Sequence, residues 1–282
     1  MKKVVRMLGL CALVALAFTS CKKNDNTNKV TFKATIAQPV SDDRTQLNSG
    51  NYVIWLEGDE IQVFDENRNA EVFTVANEFN NQTAATFTGD PTFLAKINEA
   101  GKYTAFYPVN TYDATTVTMN NVPATQTYVR AQDGRFADEL FPMHATNNDE
   151  GIFEFASDAG VMRIGLYGPS NNFQVNKIEL IDANPNQVLT GTLTYNILTR
   201  EKTIDANAGD VNKVVLECNN AALNDELARE FDFVVLDGAF ATGFTMRVYY
   251  DETNFIERTT TKANLVEGGH IHSMPPFDIT NF

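Results

Sequence analysis

The chain is poor in the residues on which disulfide-stapled folds and most enzymes depend. It holds 3 cysteines, 3 histidines and 1 tryptophan in 282 residues. Cys11 and Cys21 sit near the start, which leaves Cys218 as the one internal thiol. A disulfide framework is excluded, so the fold must rely on core size and sheet hydrogen bonding. Basic residues are scarce as well: 22 Lys and Arg against 36 Asp and Glu give a net charge of −14. So acidic a chain is a poor partner for nucleic acid or for an anionic membrane surface. There is no Gly-rich phosphate loop, nucleophile elbow, paired-cysteine zinc motif or calcium loop. No catalytic residue is picked out, no cofactor or metal is expected, and the chain does not read as an enzyme.

The residues that come nearest to chemistry have plainer readings. His270-Ile271-His272 would place two imidazoles on one strand face, half of a metal site. A closed zinc site needs third and fourth ligands, and no other histidine lies nearby in sequence, so an exposed strand face is expected. Cys218, in Val-Val-Leu-Glu-Cys, reads as a strand residue. Asn147-Asn148-Asp149-Glu150 reads as a solvated linker, not a calcium site.

A membrane-spanning hydrophobic run is also missing. The apolar stretch 7–18 would extend roughly 18 Å as a helix, short of the ~30 Å hydrocarbon core. It follows Lys2, Lys3 and Arg6 and ends in Thr19-Ser20-Cys21. Charged start, short apolar middle and small residues at the end describe a secretory signal peptide over 1–20. Its end resembles a lipobox, in which small residues precede a cysteine that is acylated before cleavage, here Cys21. Phe18 stands where a Leu is usual. Cleavage after Ala17 is the alternative and would leave Cys21 an unmodified thiol. Residues 21–28, rich in Lys and Asn, suit the flexible tether of a lipid anchor, and acyl chains would hold the chain on a membrane.

What the sequence does have is period-two alternation. In residues 29–38, Val30, Phe32, Ala34 and Ile36 share one face and Thr31, Lys33 and Thr35 the other, a half-buried strand. Similar runs are expected over 52–56, 60–64, 70–76, 84–88, 103–107, 152–156, 161–167, 174–181, 188–195, 211–217, 231–236, 244–250 and 255–260. Asn, Asp, Gly and Pro separate them. Two stretches read as short helices, 91–100 and 221–230. Many strands with few helices predict antiparallel all-β sandwiches, because parallel pairs would need crossover helices. The polar stretch 144–151 is the best boundary between an N-terminal β-sandwich domain, 29–146, and a C-terminal one, 147–282.

Several ordered segments resemble the fimbrillin-like family of Bacteroidota, fimbrial subunits exported as lipoproteins. They are Arg44-Thr45 behind the first strand, Trp55-Leu56-Glu57-Gly58-Asp59 running on to Phe64, Tyr103 to Pro108, and Pro123-Ala124-Thr125-Gln126. Asp138-Glu139-Leu140, Phe153-Glu154-Phe155, Gly160-Val161-Met162-Arg163-Ile164 and Gly268-Gly269-His270-Ile271 follow. Pro142 and Pro275-Pro276 depart from the family pattern. The resemblance implies two tandem transthyretin-like sandwiches and a structural or adhesive role on the cell surface, at the outer membrane or in a fimbrium. It further implies that a protease cuts after an arginine following the first strand, here Arg44, releasing Val30, Phe32, Ala34 and Ile36. A strand from another fimbrial subunit then fills the groove. The candidate donor is the C-terminal segment with Ile271, Phe277 and Ile279, although Pro275-Pro276 removes two backbone donors there. Arg44 lies in a polar loop, Ser41-Asp42-Asp43-Arg44-Thr45, and reads equally as an ordinary surface arginine. The competing function is a surface lipoprotein that never polymerises and binds polysaccharide or a host ligand, with Tyr107, Tyr112 and Tyr249-Tyr250 as candidate aromatics. Trp55 reads as a core anchor instead of a sugar platform.

Overall fold

A computed structural model describes residues 30–36, 55–75, 84–89, 103–109, 111–113, 115–129, 141–148, 151–169 and 173–281. Among them, every regular element is a strand except the 3-10 turn Ile279–Asn281. The first strands are Val30–Ile36 (β1), Glu60–Phe64 (β2), Ala70–Val75 (β3), Ala84–Gly89 (β4) and Thr104–Tyr107 (β5). Thr111–Tyr112 (β6), Thr116–Val122 (β7), Thr125–Thr127 (β8), Met143–Thr146 (β9) and Ile152–Ser157 (β10) follow. Then come Ala159–Tyr167 (β11), Gln174–Asp182 (β12), Gly191–Asn196 (β13), Lys202–Ala206 (β14) and Lys213–Ala222 (β15). Arg229–Leu236 (β16), Phe244–Tyr249 (β17), Phe255–Thr260 (β18), Ile271–Ser273 (β19) and Phe277–Asp278 (β20) complete the set.

Seven strands close into a barrel in the order β1-β10-β9-β5-β2-β3-β4. Its interior is apolar and aromatic: Phe32, Trp55, Ile61, Val63, Phe73, Phe87, Phe153 and Phe155. The remaining strands form three sheets: β18-β17-β12-β15-β8, β16-β11-β19 with β20 also on β11, and β14-β13-β7-β6. The β16-β11-β19 sheet is the middle layer. Met162, Ile164, Leu166, Phe231 and Phe233 face Ile178, Leu180, Leu216, Met246 and Val248 of the five-stranded sheet. On the opposite face, Val161, Val234 and Leu236 meet Val117, Met119, Leu193 and Tyr195, together with Phe64 and Phe106 of the barrel. Burial on both faces explains why β11 reads as a nearly unbroken apolar run instead of alternating.

The all-β reading holds, and three details differ from expectation. Residues 221–230 form no helix: β15 runs to Ala222 and β16 starts at Arg229. Between them the Asn224 side chain accepts from the backbone N–H groups of Glu226 (2.6 Å) and Leu227 (3.2 Å). That Asx turn competes directly with helix formation. Not all pairing is antiparallel, since β1 runs parallel to β10, β8 to β15, and β19 and β20 to β11. These partners are far apart in sequence, so no local crossover helix is needed. Of the stretch expected as a boundary, His144–Thr146 belong to β9, which pairs antiparallel with β10, while Asn148 N–H donates to Ile152 O and Gly151 (φ 74°) N–H donates to Asn148 O. In addition β7 and β8 ladder with β13 and β15, so strands from both halves of the chain share sheets. The second expected helix, 91–100, lies outside the described residues.

Candidate functional site

β1 is the strand that closes the barrel. It pairs antiparallel with β4, from Val30↔Gly89 to Thr35↔Ala84, and parallel with β10, from Lys33↔Ile152 to Ile36↔Phe155. Both of its backbone edges are thus engaged, whereas a sheet that lost it would show two raw edges. Its side chains alternate: Phe32 and Ala34 are 1% exposed and Ile36 5%, while Thr31 and Lys33 face solvent. Nothing is described of the Val30 side chain.

The pocket for Phe32 is aromatic. Its ring stands edge-on to Phe73 (4.7 Å) and Phe153 (5.1 Å), with Tyr103 at 6.4 Å. Ala34 lies between Ala85 on β4 and Phe153 on β10, so a small residue meets a large one. Ile36 lies beside Phe155, which in turn packs edge-on against Trp55 at 5.4 Å. Trp55 has no exposed surface and also meets Phe87 and Tyr107, making it a core residue and a built-in fluorescent reporter of this seat. The turn after it is held by Asp59, which accepts from Leu56 N–H at 2.7 Å and from the Tyr107 hydroxyl at 3.1 Å. Gly58 supplies the positive φ of 89° that this turn requires. Full burial of Phe32 and Ile36 is worth roughly 1.5–3 kcal/mol each.

The C-terminal segment is seated in the same molecule. Ile271 and Ile279 are buried, and Phe277 is half-buried under the Arg258 guanidinium, 4.8 Å from its ring centre. Glycines on β11 make room for this strap: a Cβ on Gly160 would collide with the Glu267 carbonyl oxygen, and one on Gly165 would press on Pro276 at 3.2 Å. Cys21 and Arg44, the proposed lipidation and cleavage positions, lie outside the described residues.

Two buried polar arrangements carry no flag in the sequence. Asp158, between β10 and β11, is 4% exposed; its Oδ2 lies 2.8 Å from His144 Nδ1 on β9, and its Oδ1 accepts from Lys202 Nζ on β14. Burial by itself would raise this carboxyl, but the His144 and Lys202 hydrogen bonds and charges outweigh it and hold Asp158 below its ordinary range. In sequence Ser157-Asp158-Ala159-Gly160 is simply a polar turn, and its burial depends on strands far along the chain. Gln126 supplies the second arrangement. Its side-chain amide donates to Val234 O at 2.6 Å and accepts from Val234 N at 3.0 Å, standing in for a missing strand at the edge of β16.

The remaining candidates are dispersed. Tyr107 belongs to β5 of the barrel, Tyr112 to β6 of a four-stranded sheet, and Tyr249 to β17 of the five-stranded sheet with Tyr250 directly after it, so these aromatics are spread over three sheets. Tyr249 is itself buried, with its hydroxyl donating to Glu179 at 3.1 Å. Cys218 is buried and free, and burial pushes its thiol well above the usual range, away from nucleophilic use. His270 lies in the turn before β19 with Nδ1 3.4 Å from Glu267, while His272 pairs in register with Met162. Among the described residues, no group of three or more His, Cys, Asp or Glu side chains is placed to hold a metal ion. Replacing both histidines with Gln is expected to leave the melting temperature equally insensitive to zinc and to chelator. A zinc-dependent rise confined to the parent would contradict this, because a ligand that binds only the folded state raises its stability.

No protein-family model matches the chain, and no curated protein matches it in sequence. Solved structures do. A candidate cell adhesion protein from Bacteroides uniformis superposes with a TM-score of 0.53 at 16% identity, over 90% of this chain and 94% of that one. One from Bacteroides ovatus gives 0.48 at 11% identity, over 88% and 90%. A fimbrial protein from the same species gives 0.45 at 11% identity, over 90% of this chain and 51% of that one. The fold shared with the Bacteroides uniformis protein rests on the first of these alone. The solved structures to which it is similar include candidate cell adhesion proteins and a fimbrial protein of Bacteroides species.

Proposed function

We propose that this chain is an exported structural or adhesive subunit of a surface fimbrium, anchored at first through lipid on Cys21 and assembled by strand replacement in the β1 seat. The barrel is in this reading the first of two tandem sandwich-like units, and the layered sheets are the second. The observation that carries the proposal is β1 itself: a short strand near the chain start, laddered on both sides, closes a barrel with Phe32, Ala34 and Ile36 turned inward. Cleavage after Arg44 would remove lipid tether and strand together. The groove left behind offers two unpaired backbone edges above an apolar trench, which is the geometry of β-augmentation. Backbone bonds would supply affinity there and alternate pockets the register. The shared fold of a candidate adhesion protein and the family resemblance support a surface role. Immunogold microscopy of whole cells tests it: label along surface filaments is expected, and label confined to the cell interior would contradict it.

The anchor is separately testable. Cys21→Ser is expected to release the protein from membranes or to leave the precursor uncut. A mutant that still sediments with membranes and is processed normally would place the anchor elsewhere.

A further inference from the structure

The seat of β1 also specifies what can replace it, an inference that rests on the strand-replacement reading above. Three inward positions set the shape. The first pocket is walled by Phe73, Phe153 and Phe87, all fully buried, and takes the Phe32 ring. The second is shallow: Ala34 faces Ala85 across one ladder and Phe153 across the other, and it is 1% exposed. A larger side chain there must displace the Phe153 ring, which already contacts Phe32 and Phe155. Close-packed interiors resist such overfilling. The third pocket, beside Phe155, takes the branched chain of Ile36. The seat therefore reads large, small, large at alternate residues. Because both edges are laddered, the occupant also needs its backbone N–H groups, so proline is barred from the interior of the segment.

This chain's own C-terminal segment does not meet that rule. Phe277 and Ile279 at alternate positions would put isoleucine in the alanine pocket, with Asn281 third. Ile271 and Ser273 begin well, but the third position is then Pro275. In His272-Met274-Pro276 and Pro275-Phe277-Ile279, proline again falls inside the window. A second and independent observation agrees. The same segment is already committed to its own molecule, as β19 and β20 on β11, with Ile271 and Ile279 buried and Gly165 kept free of a side chain beneath Pro276. A second copy's β1 would fit the seat, but it leaves with the same cut and so links nothing.

We infer that the β1 seat takes a strand from a different protein, one that presents an aromatic, a small and a branched aliphatic residue at positions i, i+2 and i+4 without proline. Residues 270–282 of a second copy are then not the strand that fills the seat. In the test, a specific protease sequence replaces residues 39–44, so that cutting does not depend on Arg44. The cut full-length chain is held in guanidinium below its unfolding transition and offered labelled peptides at equal concentration. These are residues 29–38, the same peptide with Ala34→Phe, and residues 270–282, with uptake followed by anisotropy. The 29–38 peptide is expected to enter, with the other two taken up about tenfold less or worse, as overfilling or a missing ladder bond implies. Equal entry by 270–282 overturns the inference while leaving strand replacement intact, with a second copy as partner. Equal entry by the Ala34→Phe peptide overturns the size rule. If even the 29–38 peptide fails to enter, the strand is not replaceable, and the reading falls together with this inference.

Discussion

Phe32→Ala is expected to destabilise the fold by about 3–5 kcal/mol, the usual cost of emptying a closely packed aromatic site. Phe32 is 1% exposed and touches rings from β3 and β10, whose strands are fixed by their own ladders and cannot collapse into the void. Lys33, its exposed neighbour in the same strand, is the internal control: Lys33→Ala is expected to change stability by no more than about 0.5 kcal/mol. Both are read by guanidinium unfolding followed through Trp55, whose indole is fully buried among Phe87, Tyr107 and Phe155. A loss below about 1 kcal/mol for Phe32→Ala would mean that β1 is an accessory to the barrel and not its closing strand. The comparison matters functionally, because a strand that contributes little needs no replacement when it is lost.

Asp158→Ala is the second large effect, expected at about 3 kcal/mol, within the range for removing one member of a buried charged set. The figure is held toward the low end because Lys202 is 44% exposed and keeps water as a partner. His144, 22% exposed, would lose the acceptor facing its Nδ1. The pH dependence has a definite sign. A carboxyl held below its ordinary value of 3.8 contributes stability that is fully present above that value, and the contribution fades as pH falls through the lower folded value. Wild type is therefore expected to lose stability on acidification below about pH 4 by more than Asp158→Asn does, since the amide has no proton to gain. Parallel acid limbs for the two proteins would show that the His144–Asp158–Lys202 set contributes no acid-linked stability. Because Asp158 sits at the β10–β11 corner and Lys202 on the outer sheet, the set ties the barrel to the layered sheets.

The legible parts of this fold are those where one strand face is wet and the other dry. β1 shows it best: Thr31 and Lys33 point out while Phe32, Ala34 and Ile36 point in, and the period-two pattern needs nothing else. β7 carries the same signal in Thr116-Val117-Thr118-Met119, with Val117 and Met119 buried, although it is absent from the runs expected by sequence. β9 is harder to read, since its inward residues are Met143 and Ala145, its half-buried ones His144 and Thr146, and the buried Asn147 follows directly. Asn147 is buried because its side-chain oxygen accepts from Tyr103 N–H at 2.8 Å, a contact 44 residues away that gives a core position the look of a linker. Residues 221–230 mislead in the opposite sense. Their Ala, Leu and Glu content favours helix, yet Asn219 and Asn220 adopt positive φ (50° and 57°) and Asn224 caps a turn. The parallel β1–β10 pairing joins residues more than a hundred positions apart, and no local pattern encodes it. The shape of the β1 seat was therefore hidden, even though the strand that fills it was plain.

The central claim is that β1 occupies a seat another strand can take. The most direct measurement uses limiting trypsin on wild type and Arg44→Ala, followed by removal of the released fragment, native mass spectrometry and Trp55 emission. Cut wild type freed of β1 is expected to shift its Trp55 emission to longer wavelength and to lose its compact monomeric state. Added 29–38 peptide should restore both, with a melting temperature that climbs with peptide concentration as binding to the folded state demands. Arg44→Ala should keep β1 and show neither change. Wild type that is cut after Arg44, stripped of β1 and yet remains a compact monomer with buried Trp55, indifferent to the peptide, would contradict the account.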